Sequence, residues 1–160
     1  QFLGTVTDES VKNVFLDALN LKADNLYPGL PMEVVSTGLP YLLVPLSSGL
    51  EKTYITIKDL ETQLKKIHAD FAYIFDVNKM EGRTWNNLGS LEDVATGSAA
   101  GPVGAYLCKH SICQSANDII INQGSFLGRP SKIKVHIDKS TGEVYVSGSV
   151  KVIAKGQILE

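Results

Sequence analysis

The chain has 160 residues, 44% of them hydrophobic and 20% charged, and its 17 acidic and 15 basic side chains leave a formal net charge of -2. That is one domain's length, with enough apolar material for a single core, and the balance gives no electrostatic reason to expect nucleic acid or an anionic membrane as partner. Apolar runs such as Tyr41-Leu42-Leu43-Val44 fall far short of the roughly 20 residues needed to span a bilayer, and the opening QFLGTVTDES lacks the basic-then-apolar layout of a secretory signal.

The first residue is Gln1 rather than methionine, which reads as a truncated or processed molecule or a piece of a longer one. Two cysteines, Cys108 and Cys113, are too few for a disulfide scaffold, so a reducing cytoplasm is the expected setting. His110 lies between them, but no second Cys or His pair completes a tetrahedral metal site. No metal is therefore expected, and Cys108 is read as a small packed hydrophobe.

Val11, Val14, Phe15, Ala18 and Leu19 recur at helical spacing behind Thr7 or Asp8, which predicts a capped helix over 8–20. Residues 32–36 and 41–46 read as strands around a Thr37-Gly38-Leu39-Pro40 turn. Residues 53–57 read as another strand, and Leu60, Leu64 and Ile67 as a short amphipathic helix from near Asp59. An aromatic, β-branched strand follows at 71–77, then a polar loop at 86–90. Strands are expected at 119–122, 133–137 and 144–153, with Lys139-Ser140-Thr141-Gly142 turning between the last two. His136 falls on the wet face of its strand.

Between the polar loop and these last strands lies EDVATGSAAGPVGAYLC, residues 92–108. A helix over roughly 99–109 is apolar on nearly every side, so other elements must surround it. Strands are the abundant material for that. The expected fold is therefore α+β, one domain over 1–160, with a mixed, barrel-like β-sheet curled around a central buried α-helix. Pro102 is tolerated within a first helical turn, which points to Ser98 or a neighbour as cap and to outward N–H groups from Ser98 to Gly101. Such N–H groups attract a carboxylate, and Gly97 lets a ligand approach the backbone. Plain capping by Asp93 or Ser98 is the competing reading, although Glu92, Asp93, Thr96 and Ser98 exceed what one cap needs.

The run Glu92-Asp93-Val94-Ala95-Thr96-Gly97-Ser98-Ala99 closely resembles the EDPATGSA signature of the phenazine-biosynthesis (PhzF-like) isomerase family, which shares the diaminopimelate-epimerase fold. Val35-Ser36-Thr37-Gly38-Leu39-Pro40, Gln123-Gly124 and Gly128-Arg129-Pro130-Ser131 resemble further family elements in the family's order. The resemblance implies that this chain corresponds to the C-terminal domain of a two-domain protein with its active site in the cleft between halves. It implies Asp93 and Ser98 as catalytic contributions, with Thr96, Gly97, Ser98 and Ala99 at the carboxylate-binding mouth. The family's principal acid/base glutamate and its histidine, in a CGHA-type motif, belong to the first half and do not occur here. Val94 replaces the usual proline, and Arg83-Thr84-Trp85-Asn86-Asn87 keeps an arginine but loses the Phe-x-Pro pattern. Trp85 is read as a wall of core or cleft, and Arg129 as a structural partner for a carboxylate or carbonyl.

Three functions remain open at this point. The first is a cofactor-independent isomerase moving a proton on a small carboxylate metabolite, with this chain inactive alone. The second is an epimerase or racemase of the same fold, which the resemblance gives a thiol where Thr96 stands. The third is a non-catalytic ligand-binding or dimerisation domain. The partners expected are the small carboxylate, the missing N-terminal half and a second copy in a homodimer.

Overall fold

The computed structural model describes residues 1–113, 118–138 and 140–157. Eight strands form one curled mixed sheet, β1 (Phe2–Thr5), β2 (Glu33–Ser36), β3 (Pro40–Leu46), β4 (Phe71–Asp76), β5 (Glu81–Arg83), β6 (Ile119–Gln123), β7 (Ser131–Ile137) and β8 (Val144–Gly148), which neighbour one another in chain order. All neighbours are antiparallel except β3 with β4 and β5 with β6. Parallel neighbours cannot be joined by a tight hairpin. Their two long connections carry α2 (Leu60–Lys66) and α3 (Gly97–Lys109), while α1 (Glu9–Ala18) joins β1 to β2. Among the described residues the architecture is an α+β half-barrel with three α-helices. No helix among the described residues is long and apolar enough to cross a membrane.

Period-two alternation divides the apolar residues into two cores. Val34, Leu42, Val44, Leu46, Ala72 and Ile74 face α1 and α2, burying Phe15, Leu16, Leu60 and Leu64 against them. Val35, Tyr41, Leu43, Tyr73 and Phe75 face the other way, onto Ala99, Ala100, Val103, Tyr106 and Leu107 of α3. Strands β3 and β4 are thus covered on both faces, which is why they read as continuous apolar runs. Helix α3 packs on β2 and β3 and on β7 and β8. Close approach is needed there: a Cβ on Gly101 would lie 2.7 Å from Thr37 Oγ1, and one on Gly104 would lie 2.6 Å from Val135 Cγ1.

Some elements follow the sequence expectation, the Asp8 cap among them, and several differ. Asp8 caps α1, its carboxylate accepting from Ser10 N–H at 2.7 Å. Residues 53–57 are extended but form no strand. Thr56 donates its N–H to Ala18 O and its hydroxyl to Asp17 O, both at 2.9 Å, so the segment satisfies the open end of α1 instead of pairing with the sheet. Strand β8 stops at Gly148 because its pairing with β7 ends at Ile133↔Gly148, near the start of that partner. Lys139 of the expected turn lies outside the described residues. The short strands β1 and β5 carry no sequence signal: β1 is exposed throughout and β5 has three residues. Helix α3 begins at Gly97, two residues before the expected start, with Thr96 as N-cap. Pro102 is therefore the sixth helical residue, and its ring nitrogen has no hydrogen to offer the Ser98 carbonyl.

Candidate functional site

The connection from β5 to α3 is built by local hydrogen bonds that aim one carboxylate outward. Asn86 folds residues 86–91 back on themselves, its N–H donating to Leu91 O at 2.9 Å and its side-chain oxygen accepting from Ser90 N–H at 3.0 Å. That return sets Glu92 opposite Trp85 and leads Asp93 N–H to Thr84 O at 3.0 Å. Arg83 then grips Glu92 with two bonds, Nε to Oε1 at 2.8 Å and Nη2 to Oε2 at 2.7 Å. The guanidinium also donates to Leu50 O and Thr53 O and lies over the rings of Trp85 and Phe126. Bidentate, charge-assisted geometry of this kind is strong and directional.

Asp93 follows, exposed, with Oδ2 accepting from the Thr96 hydroxyl at 2.7 Å. Gln123 of β6 donates Nε2 to Asp93 O at 2.8 Å and to Thr96 Oγ1 at 2.9 Å, while its Oε1 accepts from Thr96 N–H at 3.2 Å. Ser131 of β7 pins the next residue by donating to Val94 O at 2.8 Å. Gly124 sits at φ +84, where a Cβ would lie 2.4 Å from Arg129 O, so only glycine fits this corner. On the other side, Ser98 Oγ and the Tyr41 hydroxyl share a hydrogen bond of 2.8 Å. Burial raises Tyr41 above the ordinary phenol range, and the charges of Asp93 and Asp70 push the same way against the Ser98 bond.

Glu92, Asp93, Thr96 and Ser98 line an open groove of about 790 Å³ whose walls include Leu39, Tyr41, Trp85, Leu127 and Arg129. A comparable groove of about 830 Å³ is lined by Gly97, Glu81, Lys132 and Val146. Asp93 and Ser98 line the first.

The expected site residues separate by role. Asp93, Thr96 and Ser98 line one groove, whereas Gly97, exposed between the last two, lines the other. Ala99 does not join them: its side chain is fully buried and its N–H goes to Thr96 O at 3.2 Å. Ala100 N–H goes to the same carbonyl at 3.2 Å. Because α3 starts early, the helix-start N–H groups without a partner among the described residues are those of Gly97 and Ser98, not Ser98 through Gly101. The surplus of polar residues has a structural account too, since Glu92 belongs to an ion pair and Thr96 braces Asp93. Trp85 serves as core and as groove wall. Arg129 departs from its expected role, for its exposed guanidinium has no protein partner among the described residues.

Tyr41, Tyr73 and the bonding role of Gln123 were not legible. A glutamine at the period-two position after Ile119 and Ile121 is the one usable signal, because a buried amide must find partners for both its ends. Cys108 and Cys113 are free thiols. Cys108 packs in the α3 core, about 18 Å along the helix axis from Thr96 at 1.5 Å per residue. His110 bonds Glu33 at 3.1 Å. Among the described residues no cluster of three or more His, Cys, Asp or Glu could hold a metal ion.

The family model described as phenazine biosynthesis-like protein matches residues 5–156. The uncharacterized isomerase YddE of Escherichia coli K12 is 29% identical over 151 residues, covering 86% of this chain and 51% of that protein. The trans-2,3-dihydro-3-hydroxyanthranilate isomerase of Pseudomonas aeruginosa is 30% identical over 158 residues, covering 89% of this chain and 51% of that protein. Among solved structures, a predicted epimerase from Pseudomonas aeruginosa superposes with a TM-score of 0.90 at 43% identity, covering 100% of this chain and 56% of that one. The chain spans about half the length of the curated relatives it matches.

Proposed function

The chain belongs to the phenazine biosynthesis-like family, and from that membership we propose that it is the C-terminal half of a cofactor-independent isomerase acting on a small carboxylate. In this reading the carboxylate docks on the N–H groups of Gly97 and Ser98 and on the Ser98 hydroxyl. The helix start adds about 0.3–1 kcal/mol for a negative charge at an exposed site. Arg129, on the same groove and without a partner among the described residues, supplies positive charge. Moving a proton between two carbons uses acid/base groups that take it from one carbon and return it to the other, and two are assigned in this reading. Asp93 is one of these. The other comes from the remainder of the protein, so the chain alone binds without turning over.

The observation that carries this reading is selective commitment of charge. Of the two carboxylates on the groove, Glu92 is locked to Arg83, and Asp93 has no ion-pair partner among the described residues. A two-thiol epimerase is less well supported, since an alcohol, Thr96, stands where a thiol is required and Cys108 is far along the helix. The relative named for trans-2,3-dihydro-3-hydroxyanthranilate suggests a ring-bearing carboxylate as substrate class, and Tyr41, Phe71 and Trp85 give the groove an aromatic wall to receive it. Titrating the full-length protein with anthranilate tests the docking half of the proposal. The backbone amide signals of Gly97 and Ser98 should move in nuclear magnetic resonance spectra. Unmoved signals at millimolar anthranilate would remove the helix start from substrate binding.

A further inference from the structure

We infer that Gln123, with Tyr73 behind it, is a positioning residue that aims the Thr96 hydroxyl at Asp93 and so leaves Asp93 Oδ1 as the oxygen that meets substrate. The inference rests on the role proposed for Asp93 above. Gln123 has no exposed surface. Its neighbours fix which end of its amide is which. The Asp93 carbonyl can only accept, so the atom 2.8 Å from it must be the NH₂ group. The Thr96 N–H can only donate, so the atom 3.2 Å from it must be Oε1.

Donor bookkeeping then settles the hydroxyls. The second hydrogen on Nε2 goes to Thr96 Oγ1 at 2.9 Å, making that oxygen an acceptor there. Thr96 has one hydrogen to give, and the remaining partner is Asp93 Oδ2 at 2.7 Å. At the other end, the Tyr73 hydroxyl donates to Gln123 Oε1 at 3.0 Å. Burial lifts Tyr73 well above the ordinary phenol range, which keeps it a donor. Its position depends on Gly82, where a Cβ would fall 2.1 Å from the hydroxyl oxygen. Three donors thus point one way, from Tyr73 through Gln123 and Thr96, and end on Oδ2. Among the described residues the other carboxylate oxygen has only a 3.4 Å approach from Ala95 N–H, so it is the one available to a ligand in the groove. Chains of this kind hold their members more firmly than separate pairs do.

The test reads the carboxyl group itself and the reaction separately. In full-length protein carrying carboxyl-¹³C aspartate, Asp93→Asn identifies the Asp93 signal. Gln123→Glu is close to isosteric but puts an acceptor where Thr96 needs a donor, so the hydroxyl should turn from Asp93 to the new carboxylate. The Asp93 signal should then move as it does in Thr96→Val, and Thr96→Ser should return it. Thr96→Val, also nearly isosteric, carries the same measurement should Gln123→Glu not fold. With trans-2,3-dihydro-3-hydroxyanthranilate as probe substrate, both variants should lose about tenfold in kcat, with KM within about twofold and most of the loss recovered in Thr96→Ser. An Asp93 signal unmoved in Thr96→Val and Gln123→Glu overturns the inference. Unchanged turnover in Asp93→Asn overturns instead the role proposed for Asp93, and the carboxyl signals still decide where the hydroxyl points.

Discussion

Replacing Glu92 by alanine leaves the Arg83 guanidinium buried without its counter-charge. The two side chains are 10% and 8% exposed and meet through two bonds of 2.8 and 2.7 Å. Removing one member of a buried pair costs about 3–5 kcal/mol, most of it the desolvation of the charge left behind. Arg83 keeps two carbonyl acceptors, at 3.0 and 3.1 Å, and two aromatic faces, at 4.6 and 4.5 Å. These hold the expected loss to the lower end, about 3 kcal/mol, which is a fall in Tm of roughly 6–12 °C for a domain of this size. Trp85 is the only tryptophan and lies against the guanidinium, so its fluorescence reports the loss directly in a urea titration. The midpoint should drop with the slope m unchanged. An apolar double replacement, Arg83→Met with Glu92→Leu, should recover much of the stability, since it leaves no orphaned charge. A loss below about 1 kcal/mol in Glu92→Ala, the level of an exposed pair, would show that this ion pair does not hold the loop that presents Asp93.

Gly104→Ala should destabilise by about 1–3 kcal/mol through overpacking against Val135, and Val135→Ala in the same chain should relieve part of it, as read by thermal unfolding of the single and double variants. Glu33 predicts an acid-sensitive clamp at the far end of α3. Burial pushes its carboxyl up, but bonds from Lys109, His110 and Thr5 outweigh that and hold it below its ordinary value. A depressed folded-state value gives stability that is present above the ordinary carboxylate range and lost as pH falls through the lowered value. Glu33→Gln should therefore lose stability at neutral pH and approach the unsubstituted protein as the pH drops, in denaturation midpoints measured across the acid range. Cys108→Ala should leave turnover of the full-length protein within about twofold, because the thiol lies ~18 Å from the groove end of its helix; a tenfold loss would restore thiol chemistry as a candidate.

The sequence made several elements legible because long strands and amphipathic helices write their burial as periodicity, although it pointed to one core where the structure has two. Val11, Phe15 and Leu19 announce α1, and the run from Tyr41 to Leu46 announces a strand. What stayed hidden was decided by partners remote in the chain. Residues 53–57 have strand composition, yet the open end of α1 claims their hydrogen bonds. Strand β1 pairs through its backbone and buries no side chain, so no pattern marks it. At the site, the order of Glu92, Asp93, Thr96 and Ser98 exposed the polar cluster but not its division of labour. That division depends on Arg83, nine residues before Glu92, and on Gln123, twenty-seven residues after Thr96. Pro102 misled the reading of the helix start, since α3 accepts a proline in its second turn where Thr96, not Ser98, is the cap.

The central claim is that Asp93 handles a proton in a reaction completed by the rest of the protein. Asp93→Asn keeps the side chain's size and its Thr96 neighbour while removing the carboxylate. Steady-state turnover of the full-length variant on trans-2,3-dihydro-3-hydroxyanthranilate, beside its thermal unfolding curve, tests the claim most directly. The account predicts a kcat lower by about 10²–10⁴-fold, the usual worth of a general acid or base, with the unfolding curve preserved. A kcat equal to that of the unsubstituted protein would contradict it.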